Sequence, residues 1–238
     1  MRVRILGVGM GPHHVTCEVA DALRACDYVL ATEKSADDGL LAARREVAAA
    51  HGVPVVVVPD PDRDRAPGDY EQAVRDWHRA RVAVYEDVLR ARGGTAALLV
   101  WGDPSLYDST IRVVESLAER LPVEYDVLPG ISAPQLLAAR HRIVLHPVGR
   151  PVHVTTARRL REDVTAGQRN LCVMLTGSLD LTGLDDWSIW WGANLGTDSE
   201  ELAAGRVGDV AGHLEDARLR ARQRAGWVMD VYLLRAPE

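Results

Sequence analysis

Two hydrophobic periodicities alternate along the first half of the chain. Residues 3–8 form a short apolar run that ends in Gly7-Val8-Gly9-Met10-Gly11. Residues 16–26 follow with apolar positions at helical spacing, and Thr16 stands where an N-cap belongs. The same alternation predicts strands over 27–31, 53–58, 95–101 and 123–128. It predicts helices over 40–50, 70–92 and 112–120. In the long helix Tyr70, Val74, Trp77, Val84 and Val88 share one face, which makes Trp77 a core anchor. The stretch 59–69, PDPDRDRAPGD, is a loop. Strand–helix alternation of this kind builds a mostly parallel sheet covered on both faces.

The second half reads differently. Strands are predicted over 151–156, 171–176, 188–193 and 227–234, with a helix starting at Pro134 and a long one over 208–224. Fewer crossover helices separate these strands, so a smaller mixed or antiparallel α+β unit is expected. The expected division is a domain over 1–133 and a second over 134–238. No stretch has the apolar length of a membrane span. The start, VRILGVG, lacks the plan of a signal peptide, and a soluble, cytoplasmic protein is expected.

Composition changes this picture in one respect. With 47% hydrophobic and 26% charged residues the chain is neither disordered nor membrane-like. Lys+Arg 28 against Asp+Glu 34 gives a net charge of -6, which argues against a broad nucleic-acid face. Lys34 is the only lysine, so any cationic site is built from arginine. The absence of Phe fits a codon bias toward G and C and carries no chemistry. Cys17, Cys26 and Cys172 show no CxxC spacing and are expected as buried, reduced thiols. The eight histidines form no HxH or HExxH pattern, so no metal site is expected. His13 and His14 lie in the first glycine turn and stand nearest to possible chemistry.

The candidate chemistry sits in turns at predicted strand ends, where open parallel sheets bind ligands. GVGMGP does not supply the dinucleotide fingerprint G-x-G-x-x-G, and there is no P-loop. WGDPSLYDS combines Gly102, which permits close backbone approach, with Pro104 and with Asp103 as an acceptor. Asp103 serves either a ligand hydroxyl or a local N–H. In PGISA, Ser132 either caps the following helix or offers its amide, with that of Ala133, to a ligand. No G-x-S-x-G elbow supports a hydrolase. Arg140-His141-Arg142 and Arg158-Arg159 are either solvated surface or a bidentate clamp for carboxylates. The arginines over 218–224 read as a solvated helix face.

Taken in order, GVGMG, WGDPSLY, PGISA, VML and LGT resemble the tetrapyrrole (corrin/porphyrin) methylase family of class III methyltransferases. The resemblance runs from about Val3 to Leu234. PGISAPQLLAARHRI, PVHVTT and GWVMDVYLLR are most similar to the branch that methylates a precorrin at C1 with loss of acetate. This implies an S-adenosylmethionine site held by Met10, Gly102, Asp103, Leu106, Tyr107, Ser132, Ala133, Met174, Gly196 and Asp230. It implies a polycarboxylate tetrapyrrole substrate, for which Lys34, Arg140, Arg142, Arg158 and Arg159 are the candidate contacts. Asp37, Asp38, His141 and Tyr107, with His14, are the candidates for proton chemistry. A homodimer with no nucleic-acid or membrane partner is implied as well. The first turn departs from the family pattern GxGxGDPxxLT, since Gly11 runs directly into Pro12. Methylation at C11 or C20, or a non-catalytic corrinoid carrier, are the alternative functions.

Overall fold

A computed structural model describes residues 1–34, 38–62 and 69–237. The chain divides into two units, Met1–Ile131 and Ser132–Glu238.

The first unit carries strands β1 (Arg2–Gly7), β2 (Tyr28–Glu33), β3 (Val55–Pro59), β4 (Thr95–Val100) and β5 (Glu124–Leu128). Its helices are α1 (Cys17–Arg24), α2 (Gly39–Ala50), α3 (Tyr70–Arg92) and α4 (Thr110–Ala118). All strand pairs are parallel, in the order β3-β2-β4-β1-β5. Alternation along β1 sends Val3 and Ile5 to one face, where they pack with Val82, Leu89, Val113 and Leu117 of α3 and α4. Leu6 and Val8 go to the other face, against Val19 and Leu23 of α1 and Val47 of α2. Thr16 caps α1 through a bond from the Val19 amide (3.2 Å). Connections leave β1 and β4 in opposite directions, toward β2 and β5. These two neighbours therefore form a switch point, where ligands bind beyond the carboxyl ends of strands.

The second unit carries helices α5 (Ala133–His141), α6 (Leu160–Thr165) and α7 (Val207–Ala225). Its strands are β6 (His153–Thr156), β7 (Asn170–Met174), β8 (Ser188–Ala193), β9 (Glu201–Arg206) and β10 (Asp230–Arg235). The order is β6-β7-β10-β8-β9, with β6 and β7 parallel and the other pairs antiparallel. Leu171, Val173, Ile189, Trp191, Tyr232 and Leu234 form one core with Leu214 and Ala217 of α7. On the opposite face Gly192 leaves room for α5; a Cβ there would lie 3.0 Å from Leu137.

Several expectations are corrected. β9 and α6 were not anticipated by the hydrophobic pattern. ELAAGR has no β-branched residue, and it becomes a strand because β8 pairs with it from Glu201 to Arg206. Cys17 is exposed, unlike Cys26 and Cys172. Burial pushes the Cys26 thiol up to about 11 and the Cys172 thiol to about 12. Trp77 is only half-buried; its indole N–H donates to the Pro61 carbonyl (3.1 Å) and Arg81 stacks on its ring. Among the described residues no helix is long and apolar enough to cross a membrane.

Candidate active site

The turns after β1, β4 and β5 are packed backbone on backbone. Gly9 and Gly102 form an antiparallel bridge, with N–H to carbonyl distances of 3.2 and 2.7 Å. A Cβ on Gly130 would lie 2.2 Å from the Gly102 carbonyl oxygen, and one on Gly7 would lie 2.4 Å from the Gly130 amide. The close approach of three turns is the reason for glycine at these positions. Gly102 itself has φ +75°, and a Cβ there would meet only the Met10 sulfur, at 3.7 Å. Met10 is buried beneath this surface.

Asp103 ties two of these turns together. Its Oδ1 accepts from the Ser105 amide (2.8 Å) and hydroxyl (2.5 Å). Its Oδ2 accepts from the Gly130 amide (3.0 Å). Burial alone would raise its pKa. The bonds from Ser105 and Gly130 outweigh burial and hold the carboxyl below the usual range. A carboxylate offers about four acceptor positions, and these bonds use three of them. Leu106 is half-buried, and Tyr107 is exposed at φ +51°.

Of the other candidates of the first unit, Asp38 has a structural duty. Asp38 caps α2, accepting from the Leu40 and Leu41 amides (3.1 and 3.0 Å) and from the Lys34 amide (3.2 Å). The Lys34 side chain is exposed. Asp37 lies outside the described residues. In the first turn, Pro12–His14 form a single 3-10 turn, and a Cβ on Gly9 would lie 2.5 Å from that of His14.

In the second unit, Ser132 is buried, and both its amide and its hydroxyl donate to the Gln135 side chain (2.9 Å each). Ser132 and Gln135 thereby form a capping box at the start of α5. Met174 ends β7, followed by Leu175, exposed at φ +53°. Gly196 (φ +80°) donates its amide to Glu200 (2.7 Å), and the same carboxylate receives Arg140 Nε at 2.8 and 3.1 Å. His141 Nε2 lies 2.9 Å from the Trp191 carbonyl and donates to it. Arg142 ends α5 in the left-handed region. Arg159 pairs with Glu162 (3.0 Å), and Arg158 is exposed.

Asp230 has no exposed side-chain surface. Its Oδ2 accepts from Arg218 Nε (2.9 Å) and from the Trp191 indole (3.2 Å). Arg218 also donates to the carbonyls of Thr176 (3.3 Å) and Gly177 (2.9 Å), just after Met174. Arg218 is therefore largely buried, not part of a solvated face. Asn194 was missed altogether. It exchanges bonds with Met229 (2.8 Å both ways) and reaches Ser199 (3.0 Å) and Trp227 (3.2 Å), which joins the Gly196 turn to the start of β10. Its φ of +49° is the available clue, since Asn tolerates that region, but no sequence pattern announces it.

These turns and their order find a match among known proteins. The profile described as Tetrapyrrole (Corrin/Porphyrin) Methylases matches residues 2–211, most of both units. The chain belongs to the tetrapyrrole methylase family. This methylase is 40% identical over 247 residues to a precorrin-6A synthase (deacetylating) of Sinorhizobium sp, covering 98% of this chain and 95% of the relative. Its fold superimposes on a cobalamin synthesis related protein (CobF) of Corynebacterium diphtheriae with a TM-score of 0.86, at 35% identity and full coverage of both chains. It also shares the fold of uroporphyrin-III C-methyltransferase from Thermus thermophilus, solved in complex with S-adenyl homocysteine. That likeness has a TM-score of 0.60 at 18% identity over 98% of this chain and 92% of the other. The expected parallel sheet plus separate mixed sheet is thus the methylase architecture.

Proposed function

We propose that this methylase transfers the methyl group of S-adenosylmethionine to C1 of precorrin-5. With one water consumed, the products are precorrin-6A, S-adenosylhomocysteine and acetate. The observation that carries this reading is the 40% identity to the precorrin-6A synthase over 98% of the chain. Methylation at C20 is the second reading, favoured by a shorter match of 31% identity over 55% of the chain to a precorrin-2 C(20)-methyltransferase of Sinorhizobium sp.

The residues fit the cofactor. Gly102 leaves its Cα side open except for Met10, so a ligand can approach the backbone closely. Asp103 keeps an acceptor position for a ribose hydroxyl. Met10, Gly102, Asp103, Leu106 and Tyr107 are assigned to the cofactor, with Ser132, Ala133, Met174, Gly196 and Asp230 carried over from the resemblance. Asp230 acts there through its neighbours, given its buried ion pair. Once bound, the cofactor supplies an activated methyl on a sulfonium, so the chain need not furnish a nucleophile. The protein's task is to align the ring carbon and to exclude water until transfer. Asp37, Asp38, His141 and Tyr107 are the groups assigned to activating water for acetate release. Lys34, Arg140, Arg142, Arg158 and Arg159 are assigned to substrate carboxylates. The same resemblance supports a homodimer in the cytoplasm.

Calorimetry with S-adenosylhomocysteine tests the cofactor assignment. Wild type is expected to bind it, and Asp103→Ala to bind it about tenfold more weakly, the loss of one hydrogen bond to a charged acceptor. Equal affinity would remove Asp103 from the cofactor site.

A further inference from the structure

Strands β2 and β4 part company early. They pair only at Tyr28↔Ala96 and Val29↔Ala97. Beyond that point β2 continues along β3 as far as Glu33↔Pro59, and β4 continues along β1 as far as Gly7↔Val100. The carboxyl ends of the sheet therefore open into a fork, and polar side chains fill it. Thr32 and Tyr85 are buried there. Arg81, from α3, is nearly buried and paired: it meets Asp60 through Nε (3.0 Å) and Nη2 (2.7 Å) and reaches Thr32 (3.3 Å).

Arg44, from α2, is the exception. Its Nε donates to the Leu99 carbonyl on β4 (2.9 Å), which fixes the guanidinium in the fork. Among the described residues it has no ion pair, and no hydrogen bond is made by either Nη. Asp38 and Asp108 influence it only through charge. Asp38 holds the start of α2 and the Lys34 amide, and Asp108 Oδ1 accepts from the Thr110 amide (2.6 Å). Burial pulls its pKa down from the ordinary arginine value, a sign of an incompletely compensated charge. By contrast, the largely buried Arg81 and Arg218 each hold a carboxylate.

We infer that Arg44 is a carboxylate-binding residue, its two Nη groups receiving one acidic arm of the tetrapyrrole substrate. The planar fork of a guanidinium matches a carboxylate in two parallel bonds, and its orientation is already set by Leu99. The site lies beside β4, whose own turn carries Gly102 and Asp103. This rests on the tetrapyrrole methylation proposed above. The methionine carboxylate of the cofactor has the same chemistry, and the test separates the two sources.

The test is a fluorescence titration of uroporphyrin III, a polycarboxylate tetrapyrrole, into protein saturated with S-adenosylhomocysteine. Arg44→Gln is expected to weaken binding about tenfold or more, and Arg44→Lys to lose less. Arg45→Gln removes the same charge from an exposed neighbouring position and should leave binding unchanged. Affinity for S-adenosylhomocysteine should be the same in all four proteins. The inference is overturned if wild type does not bind uroporphyrin, if Arg44→Gln and Arg44→Lys bind it as wild type does, or if Arg45→Gln is equally impaired. A loss of S-adenosylhomocysteine affinity instead would place the cofactor's carboxylate at Arg44 and overturn the substrate assignment. Methyl transfer to precorrin-5 is scored separately. Its absence with the Arg44 effect intact counts against the reaction, and its presence without that effect counts against Arg44.

Discussion

The two units hold the turns of the candidate site by opposite means. In the first, Gly7, Gly9, Gly102 and Gly130 press backbone against backbone, and Asp103 adds bonds from Ser105 and Gly130. In the second, the turns after β7 and β8 hang on buried side chains, Arg218 with Asp230 and Trp191, and Asn194 with Met229. Backbone packing fails when atoms are added. A side-chain network fails when they are removed.

The largest effect should come from removing atoms in the second unit. Asp230→Ala leaves Arg218 buried without its carboxylate and is expected to cost about 3–5 kcal/mol. Urea unfolding would measure this. The double variant Arg218→Met with Asp230→Ala should recover part of the loss, and additive losses would show that the pair does not act as a unit. Next in size is an added methyl in the first unit. Gly130→Ala drives a Cβ to 2.2 Å from the Gly102 oxygen, so the turn must shift. The expected cost is about 3 kcal/mol. Displacing the turn by about 1 Å should also lower methyl transfer about a hundredfold. Activity retained at wild-type level would break the contrast drawn between the units.

Asp103→Ala should destabilise the protein by about 2 kcal/mol at neutral pH, since it removes bonds to a charged acceptor. The sign of the pH dependence follows from the lowered carboxyl. That contribution is complete above the unfolded pKa, about 3.9, and is lost as pH falls through the lower folded value. Urea curves stepped down from neutral pH should therefore show wild type and Asp103→Ala converging below about pH 4. A gap that stays constant would mean that charge is not what ties the turns. The smallest effect has the opposite sign. Gly212, inside α7, has nothing within 4 Å of an added Cβ, so Gly212→Ala should raise stability by about 0.5–1 kcal/mol.

The same contrast explains what could be read from the residues alone. Glycine and proline turns at strand ends are local, so GVGMG, WGDP and PG point to their place without a structure. The all-parallel first sheet follows from strand–helix alternation for the same reason. The network of the second unit is not local. Arg218 and Asp230 are separated by 12 residues and Asn194 and Met229 by 35, and nothing in either segment marks its partner. Arg218 in particular sits in an alternating arginine run that has the pattern of a solvated face. Arg140 and Asp38 read as free charges until Glu200 and the first turn of α2 are seen to occupy them.

The most direct test of the proposed reaction is mass spectrometry of the product from precorrin-5 and S-adenosylmethionine labelled in its methyl carbon. Precorrin-6A formation predicts that the macrocycle gains the labelled methyl and loses its acetyl group, with acetate and S-adenosylhomocysteine released in equal amounts. A macrocycle that gains the label and keeps the acetyl group would contradict it.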